Sequence, residues 1–446
     1  MLNKIVDALK KRKDLSGWTV RHIVTRGTQV YAVPKGIEAK RAVEGERFVV
    51  DVLRQTKGPD GAPGLGAGDV TLLPAEGPGR VGDIEAALDQ ASLVAGLVSN
   101  PVHGMPGPGE LPDVPLVDQD LQKNQAGVMQ AVMERARAAA AKESAVKMTA
   151  AECFSELRTT HLVNSRGIDA TQESTRIDLE FVLKARKGER ETETFMEMTR
   201  RRVADLDIEG VIEQRARQTI DLLEAEAPAS RQGPVVLRRQ ALAIFLAGDL
   251  GEGSVLRTLG SADAKYAKVS NWEIEKTVLR GEVKGDPLTV WANRQIPYGT
   301  SSDRFDEEGL AAQRVLLISD NELVTFSAGQ RYADYLGVTP TGGFGGVELP
   351  AGVTPAKALL AEPYIEVVQF SWFNPDPITG DFATEIRLGY LVENGKRTPF
   401  KGGQLVGNVL DALADVRWSA ETAFLGNYLG PEIARFNDLK LAGEDG

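Results

Sequence analysis

Leu2, Ile5, Val6 and Leu9 recur every three or four positions among lysines, a spacing that predicts an amphipathic first helix. The period then changes. WTVRHIVTRGTQVYAVP (18–34) and ERFVVDVLRQ (46–55) are rich in Val, Thr, Tyr and Ile and predict antiparallel strands with a turn near Gly36. Helical spacing returns over 82–98, where Ile84, Leu88, Ala91 and Ala95 share a face and Asp83 stands at the cap position. It returns again from Asp120 to Lys142, carried by Val128, Met129, Val132, Met133 and Ala136. SAVKMTAAEC, THLVNSRGIDA and TRIDLEFVLKA predict further strands, broken by a turn at Asn164–Gly167. DIEGVIEQRARQTIDLLEA (207–225) predicts a helix capped by Asp207, with Ile208, Val211, Ile212, Ile220 and Leu223 as its buried stripe.

Glycine and proline interrupt these patterns. GPDGAPGLGAGDVTLLPAEGPG (58–79) reads as loop by composition, and HGMPGPGELPDVP (103–115) excludes regular structure. APASRQGP (227–234) reads as a hinge into a strand-rich second half. There RVLLISDNELVTFSAG (314–329) predicts a hairpin around Asp320–Asn321. IEVVQFSWF, FATEIRLGYLVENGKRTPF and QLVGNVLDALADV predict a β-dominated domain closing in one helix. The expected class is α+β in two lobes. Residues 1–226 form antiparallel sheets with helices, and 230–446 a β-rich, barrel-like or sandwich-like domain.

Composition narrows the function classes. Sixty-three acids against fifty-two bases give the 446-residue chain a net charge of −11, which argues against a nucleic-acid partner. The basic clusters Lys10–Lys13 and Arg200–Arg202 read as solvated helix ends or turns. No stretch approaches the ~20 apolar residues that span a bilayer, and the single cysteine suits a reducing compartment. The expected location is the cytoplasm, without membrane contact.

Candidate chemistry is sparse. None of His22, His103 and His161 has another His or Cys within five residues, and no HExxH or CxxC occurs. His22 and His161 fall on predicted strands and read as structural; His103 lies in a Pro/Gly loop. Cys153 has no base in local register and reads as a small buried hydrophobe. TGGFGGV (341–347) and GLGAG (64–68) lack the Gly-Lys-Ser/Thr of a phosphate loop. Asp306–Glu307–Glu308 reads as an acidic surface turn. Gly380–Asp381 and Asn394–Gly395 suit tight turns, and Gly407–Asn408 a packed helix start.

Three ordered blocks resemble the TldD/PmbA family, once described as modulators of DNA gyrase and now regarded as peptidases. They are RFDEEGLAAQRVLLISDNELVTFSAGQRYADYLGVTPTGGF (304–344), WFNPDPITGDFATEIRLGYLVENGKRTPFKGGQLVGNVLDALADV (372–416), and THLVNSRGIDA (160–170) with 202–223 and PVVL (234–237). The resemblance marks Asp306, Glu308, Gly309, Gly380, Asp381, Gly407 and Asn408 as motif or substrate-channel positions. It also implies that a catalytic subunit carries HExxxH on the helix after the PVVL-like strand, where two histidines grip zinc and a later cysteine completes the site.

Here that stretch is ALAIFLAGDLGEG (241–253) and contains no histidine. Ile244, Phe245 and Leu246 stand where imidazoles are expected. Asp249 and Glu252 are hard, weak donors for zinc. The departure resembles the PmbA (TldE) branch. It implies a chain without its own metal or cofactor, paired with a zinc-bearing TldD-like subunit around a channel for unfolded peptides. Two alternatives stay open: a peptide-binding homodimer without proteolysis, and a hydrolase using Cys153, Asp249 or Glu252.

Overall fold

The computed structural model describes residues 1–58, 60–74, 84–248 and 253–443. The first half runs α1 (Leu2–Lys11), β1 (Gly17–Val33), β2 (Gly36–Lys57), β3 (Pro63–Leu72), α2 (Ile84–Gly96), α3 (Gln119–Ala140), β4 (Val146–Asn164), β5 (Asp169–Lys187), β6 (Arg190–Arg200) and α4 (Ile208–Asp221). The second begins β7 (Arg231–Arg238), α5 (Gln240–Ala247), α6 (Val255–Leu259), α7 (Ala262–Tyr266), β8 (Val290–Asn293), β9 (Arg314–Ser319), β10 (Glu322–Leu323), α8 (Gln330–Leu336) and β11 (Gly346–Glu348). It continues α9 (Ala356–Leu359), β12 (Tyr364–Phe370), β13 (Asp381–Glu393), β14 (Lys396–Phe400), β15 (Gln404–Asn408), α10 (Val409–Ala414), β16 (Val416–Trp418), β17 (Thr422–Phe424), β18 (Tyr428–Pro431) and β19 (Ile433–Ala442).

The N-terminal lobe is one antiparallel sheet ordered β3-β2-β1-β4-β5-β6. Helices α1 and α2 bury Ile5, Leu9, Leu88 and Ala91 against Val20, Phe48 and Val50. Further along the sheet, Met129, Val132 and Met133 of α3 and Ile208 and Ile212 of α4 cover Val30, Cys153, Leu179 and Phe181. The expected stripes are therefore the packed faces. Alternation along β5 follows from this, because one face meets helices and the other meets water.

Four sequence expectations change. Residues 63–72 of the presumed loop form β3, because its alternating glycines serve packing rather than flexibility. A methyl added at Gly66 would lie 1.7 Å from the Ala95 carbonyl oxygen, and at Gly68 2.2 Å from that of Ala91, so bare backbone admits α2. Asp207 precedes α4 in a left-handed conformation (φ 44°) and its side chain makes no capping hydrogen bond. Arg200 and Arg201 are buried rather than solvated. The last domain ends in strands, with β16 to β19 following α10. Strand β6 carries too many charges to show an apolar period. Asp83 lies outside the described residues.

The C-terminal lobe holds two sheets around a shared core. One is ordered β10-β9-β8-β11-β18-β17. The other closes on itself: β12 pairs with β7, β7 with β19, β19 with β15, β15 with β13, and β13 returns to β12. Strand β14 extends β13 through the Asn394–Gly395 turn, where both residues have positive φ (55° and 73°), as a two-residue hairpin with right-handed twist requires. The class is α+β, with a half-barrel first and a barrel-like sheet second. No described helix is long and apolar enough to cross a membrane.

Candidate functional site

Strand β7 delivers the chain to α5 at the closed sheet. QALAIFLA is dense in strong helix formers, and Gly248 (φ 78°) ends the helix by donating its N–H to the Ile244 carbonyl at 3.0 Å. Ala241, Leu242, Ala243, Phe245, Leu246 and Ala247 are all buried, so the helix is apolar on nearly every side and belongs to the core. Ile244 is half-buried and packs against the same core.

Phe245 meets Phe436 of β19 at 5.0 Å between ring centroids, Phe373 at 5.2 Å and Phe382 of β13 at 5.8 Å, the last edge-on. Phe370 joins through Phe373 at 5.1 Å. Five phenyl rings thus close the interior where α5 enters. Full burial of one such side chain is worth roughly 1.5–3 kcal/mol.

The Gly380–Asp381 and Gly407–Asn408 pairs come together beside this cluster. The Asn408 amide donates to the Thr379 carbonyl and to an Asp381 carboxylate oxygen, both at 2.7 Å, and its own oxygen caps α10 through the Leu410 and Asp411 amides. Gly380 has φ 80° and Val409 donates to its carbonyl, so the turn needs glycine. A methyl at Gly407 would lie 3.0 Å from the Phe382 ring, which links this network to Phe245.

Asp306, Glu308 and Gly309 belong to a different network, and the expected acidic surface turn is largely buried. An Asp306 oxygen accepts from the Glu308 and Leu310 amides at 2.9 Å, and its partner oxygen faces the Arg294 guanidinium at 3.7 Å. Arg294 also pairs with Asp303. Burial pushes the Asp306 carboxyl up against the pull of Arg294, and burial with Asp306 nearby does the same to Glu308. Glu308 accepts from the Gln330 amide at 2.7 Å, at the start of α8. Gly309 (φ 95°) fits against Ile168 and Leu162 of the N-terminal lobe. Only Glu307 points outward, to Arg21 at 3.1 Å.

The zinc-binding chemistry of the resembled family needs imidazole, thiolate or carboxylate on α5. Its inward face offers alkyl and phenyl groups. His22 and His161 sit opposite each other on β1 and β4, but His22 donates to Glu46 at 2.8 Å and His161 to Asp169 at 2.6 Å. His103 donates to the Gly104 carbonyl. Cys153 is buried 3.4 Å from the Met129 sulfur, and burial pushes its thiol up to about 12, the opposite of an activated nucleophile. Among the described residues no group of three or more His, Cys, Asp or Glu is arranged to hold a metal. Asp249 and Glu252 lie outside the described residues. Among the described residues, the donor set at α5 does not fit zinc.

Sequence reasoning missed a set of buried arginines. Arg201 donates to the carbonyls of Gly299, Thr175, Thr300 and Ser302. Arg200 and Arg215 line a cavity between the lobes. Arg215 falls on the buried side of α4, and that helical position was the available signal.

Comparison with known proteins agrees with this architecture. Residues 123–223 match the PmbA/TldA metallopeptidase central domain and 230–443 the corresponding C-terminal domain. An uncharacterised protein of Methanocaldococcus jannaschii is 25% identical over 291 residues, 61% of this chain and 64% of that protein. A zinc metalloprotease TldD homolog of Saccharolobus solfataricus is 24% identical over 226 residues, 46% of this chain and 48% of that protein. The matched region thus spans less than two thirds of either relative. A Thermotoga maritima structure described as a modulator of a DNA gyrase has TM-score 0.81 and 19% identity, covering 99% of this chain and 100% of its own. TldE from Thermococcus kodakarensis has TM-score 0.77 and 19% identity with the same coverage. With both domain models matched along most of its length, the chain belongs to the TldD/PmbA family of metallopeptidase-related proteins.

Proposed function

We propose that this chain is the zinc-free, TldE-like subunit of a TldD/TldE-type peptidase, which helps shape a channel for unfolded peptides while a zinc-bearing partner hydrolyses them. One observation carries the reading: α5, the helix after β7, presents Phe245 and Leu246 to a packed aromatic core, leaving neither a donor nor room for one. Replacing imidazole by phenyl converts a polar site into core, a change that stabilises the subunit and removes its chemistry.

Surface features support a partner. Trp372 is 71% exposed and Ile378 50% exposed on the segment between β12 and β13, beside the Gly253 turn that follows α5. Exposed tryptophan is costly to leave in water and is enriched at interface cores. The peptide itself is expected to bind extended, through main-chain hydrogen bonds that read little sequence.

The test is to produce the chain alone and together with a zinc-bearing family member from the same genome. The chain alone is expected to hold substoichiometric zinc and leave casein-derived peptides intact. The pair is expected to co-purify, carry zinc and cleave them until a chelator is added. Stoichiometric zinc and chelator-sensitive turnover in the isolated chain would overturn the proposal. Self-association with no affinity for the zinc-bearing relative would favour a peptide-binding homodimer instead.

A further inference from the structure

A cavity of about 120 Å³ lies between the lobes, walled by β6, α4, the β7–α5 junction and β12. Four guanidinium groups line it: Arg200, Arg215, Arg238 and Arg239. Two are accounted for, since Arg238 reaches Glu366 at 3.6 Å and Arg239 reaches Glu432 at 3.4 Å. The acids in the wall are also engaged or turned away. Asp205 accepts two hydrogen bonds from Arg202, Glu366 takes Arg397, and Asp207 is exposed over the first turn of α4.

Arg200 and Arg215 are different. Each is buried, and among the described residues neither forms an ion pair. Arg215 donates to the Gln369 side-chain oxygen at 2.8 Å and to the Met196 sulfur at 3.0 Å, a weak acceptor. Arg200 donates only to the Asp205 and Thr199 carbonyls. A guanidinium has five N–H groups, so both keep donors for the cavity they line. Burial holds both well below the ordinary arginine value, at about 10; nearby Asp205 offsets this only in part for Arg200, and no carboxylate does so for Arg215. An unpaired buried cation is retained at a cost in stability, and an incoming anion would relieve that cost.

We infer that this cavity binds a carboxylate, the C-terminal group of a peptide, through Arg200 and Arg215. Arginine forks match a carboxylate's two oxygens, and the volume admits that group with a small side chain rather than a longer segment. The cavity touches the start of α5 at Gln240, so a peptide terminus anchored there ends next to the helix that the family uses for chemistry. Only the identification of the carboxylate as a peptide terminus rests on the proposed function. Anion binding belongs to this chain alone.

The experiment is calorimetric titration of the isolated full chain with N-acetyl-dialanine, with its C-terminal amide, and with inorganic phosphate. The free acid is expected to bind at least tenfold more tightly than the amide. Gln214→Glu, at an exposed position on the cavity wall, is expected to abolish that difference without lowering the thermal midpoint. Arg215→Met is expected to remove binding too. Should it not fold, Gln214→Glu still decides. Equal binding of acid and amide, a Gln214→Glu variant that binds the acid as before, or phosphate binding as tight as the acid's would overturn the inference. Since no partner is present, failure here is distinct from failure to recruit a zinc subunit.

Discussion

Asp306 shows how one buried carboxylate can serve folding where a motif suggests substrate. Its oxygen holds the Glu308 and Leu310 amides, and the Arg294 contact is longer and shared with Asp303. Backbone capture is the dominant role, and an asparagine oxygen can perform it. Asp306→Asn is therefore expected to cost less than about 1 kcal/mol, and Asp306→Ala, which orphans two part-buried amides, about 2 kcal/mol. Urea midpoints of the two variants check this. If both unfold alike, the ion pair rather than the turn is what matters. The residue type and its turn were legible in the sequence. Its burial was not, because that depends on Arg294 and on the 342–343 glycines arriving from elsewhere in the chain.

At the scale of elements, hairpins were the most readable features. Asp320–Asn321 (φ 48° and 74°) and Asn394–Gly395 both need positive φ, and their residue types announce it. Strand β3 was hidden because the reason for its glycines is a helix further down the chain, at Ala91 and Ala95. Gly66→Ala is expected to push α2 off the strand and destabilise by about 3 kcal/mol, since the clash is with backbone. Gly107→Ala, which meets nothing within 4 Å, should stay within about 0.5 kcal/mol. Equal melting temperatures for the two would refute this packing role.

The docking of α1 onto α2 adds a pH dependence. Arg12 and Ser92 hold the Asp14 carboxyl at about 2, below its unfolded value of roughly 3.9. A depressed carboxyl stabilises the fold above the unfolded value, and that gain is lost as pH falls from about 4 towards about 2. Because Asp14 is 35% exposed, the gain is screened to about 1 kcal/mol. Asp14→Asn is expected to lower stability at pH 7 by that amount and to match the parent near pH 2, which urea titrations across that range will show.

At the scale of the whole molecule, the local pattern gave the lobes but not what joins them. The closed sheet depends on β7 pairing in parallel with β12, more than a hundred residues later, and no local period encodes such a partner. The lobes are sewn together by 298–309. Tyr298 donates to the Pro115 carbonyl, Gln172 bonds both the Arg304 amide and the Phe305 carbonyl, and Arg201 grips three carbonyls between 299 and 302. The start of the first motif block resembling the family, 304–309, thus also lies in the interlobe seam. Arg201→Met keeps the volume but leaves those carbonyls without a donor, and is expected to cost about 3 kcal/mol. Arg201→Lys restores the charge without the planar fork and should recover only part. Because the seam carries the coupling, the loss should fall between the lobes rather than within either. Tryptophan fluorescence in urea, reporting Trp18 in the first lobe and Trp272, Trp291, Trp372 and Trp418 in the second, is expected to resolve two transitions in Arg201→Met where the parent shows one. Protease cleavage across the 227–230 connection should rise in step. A single transition with the parent's slope would show instead that the lobes share one core and that the seam is incidental.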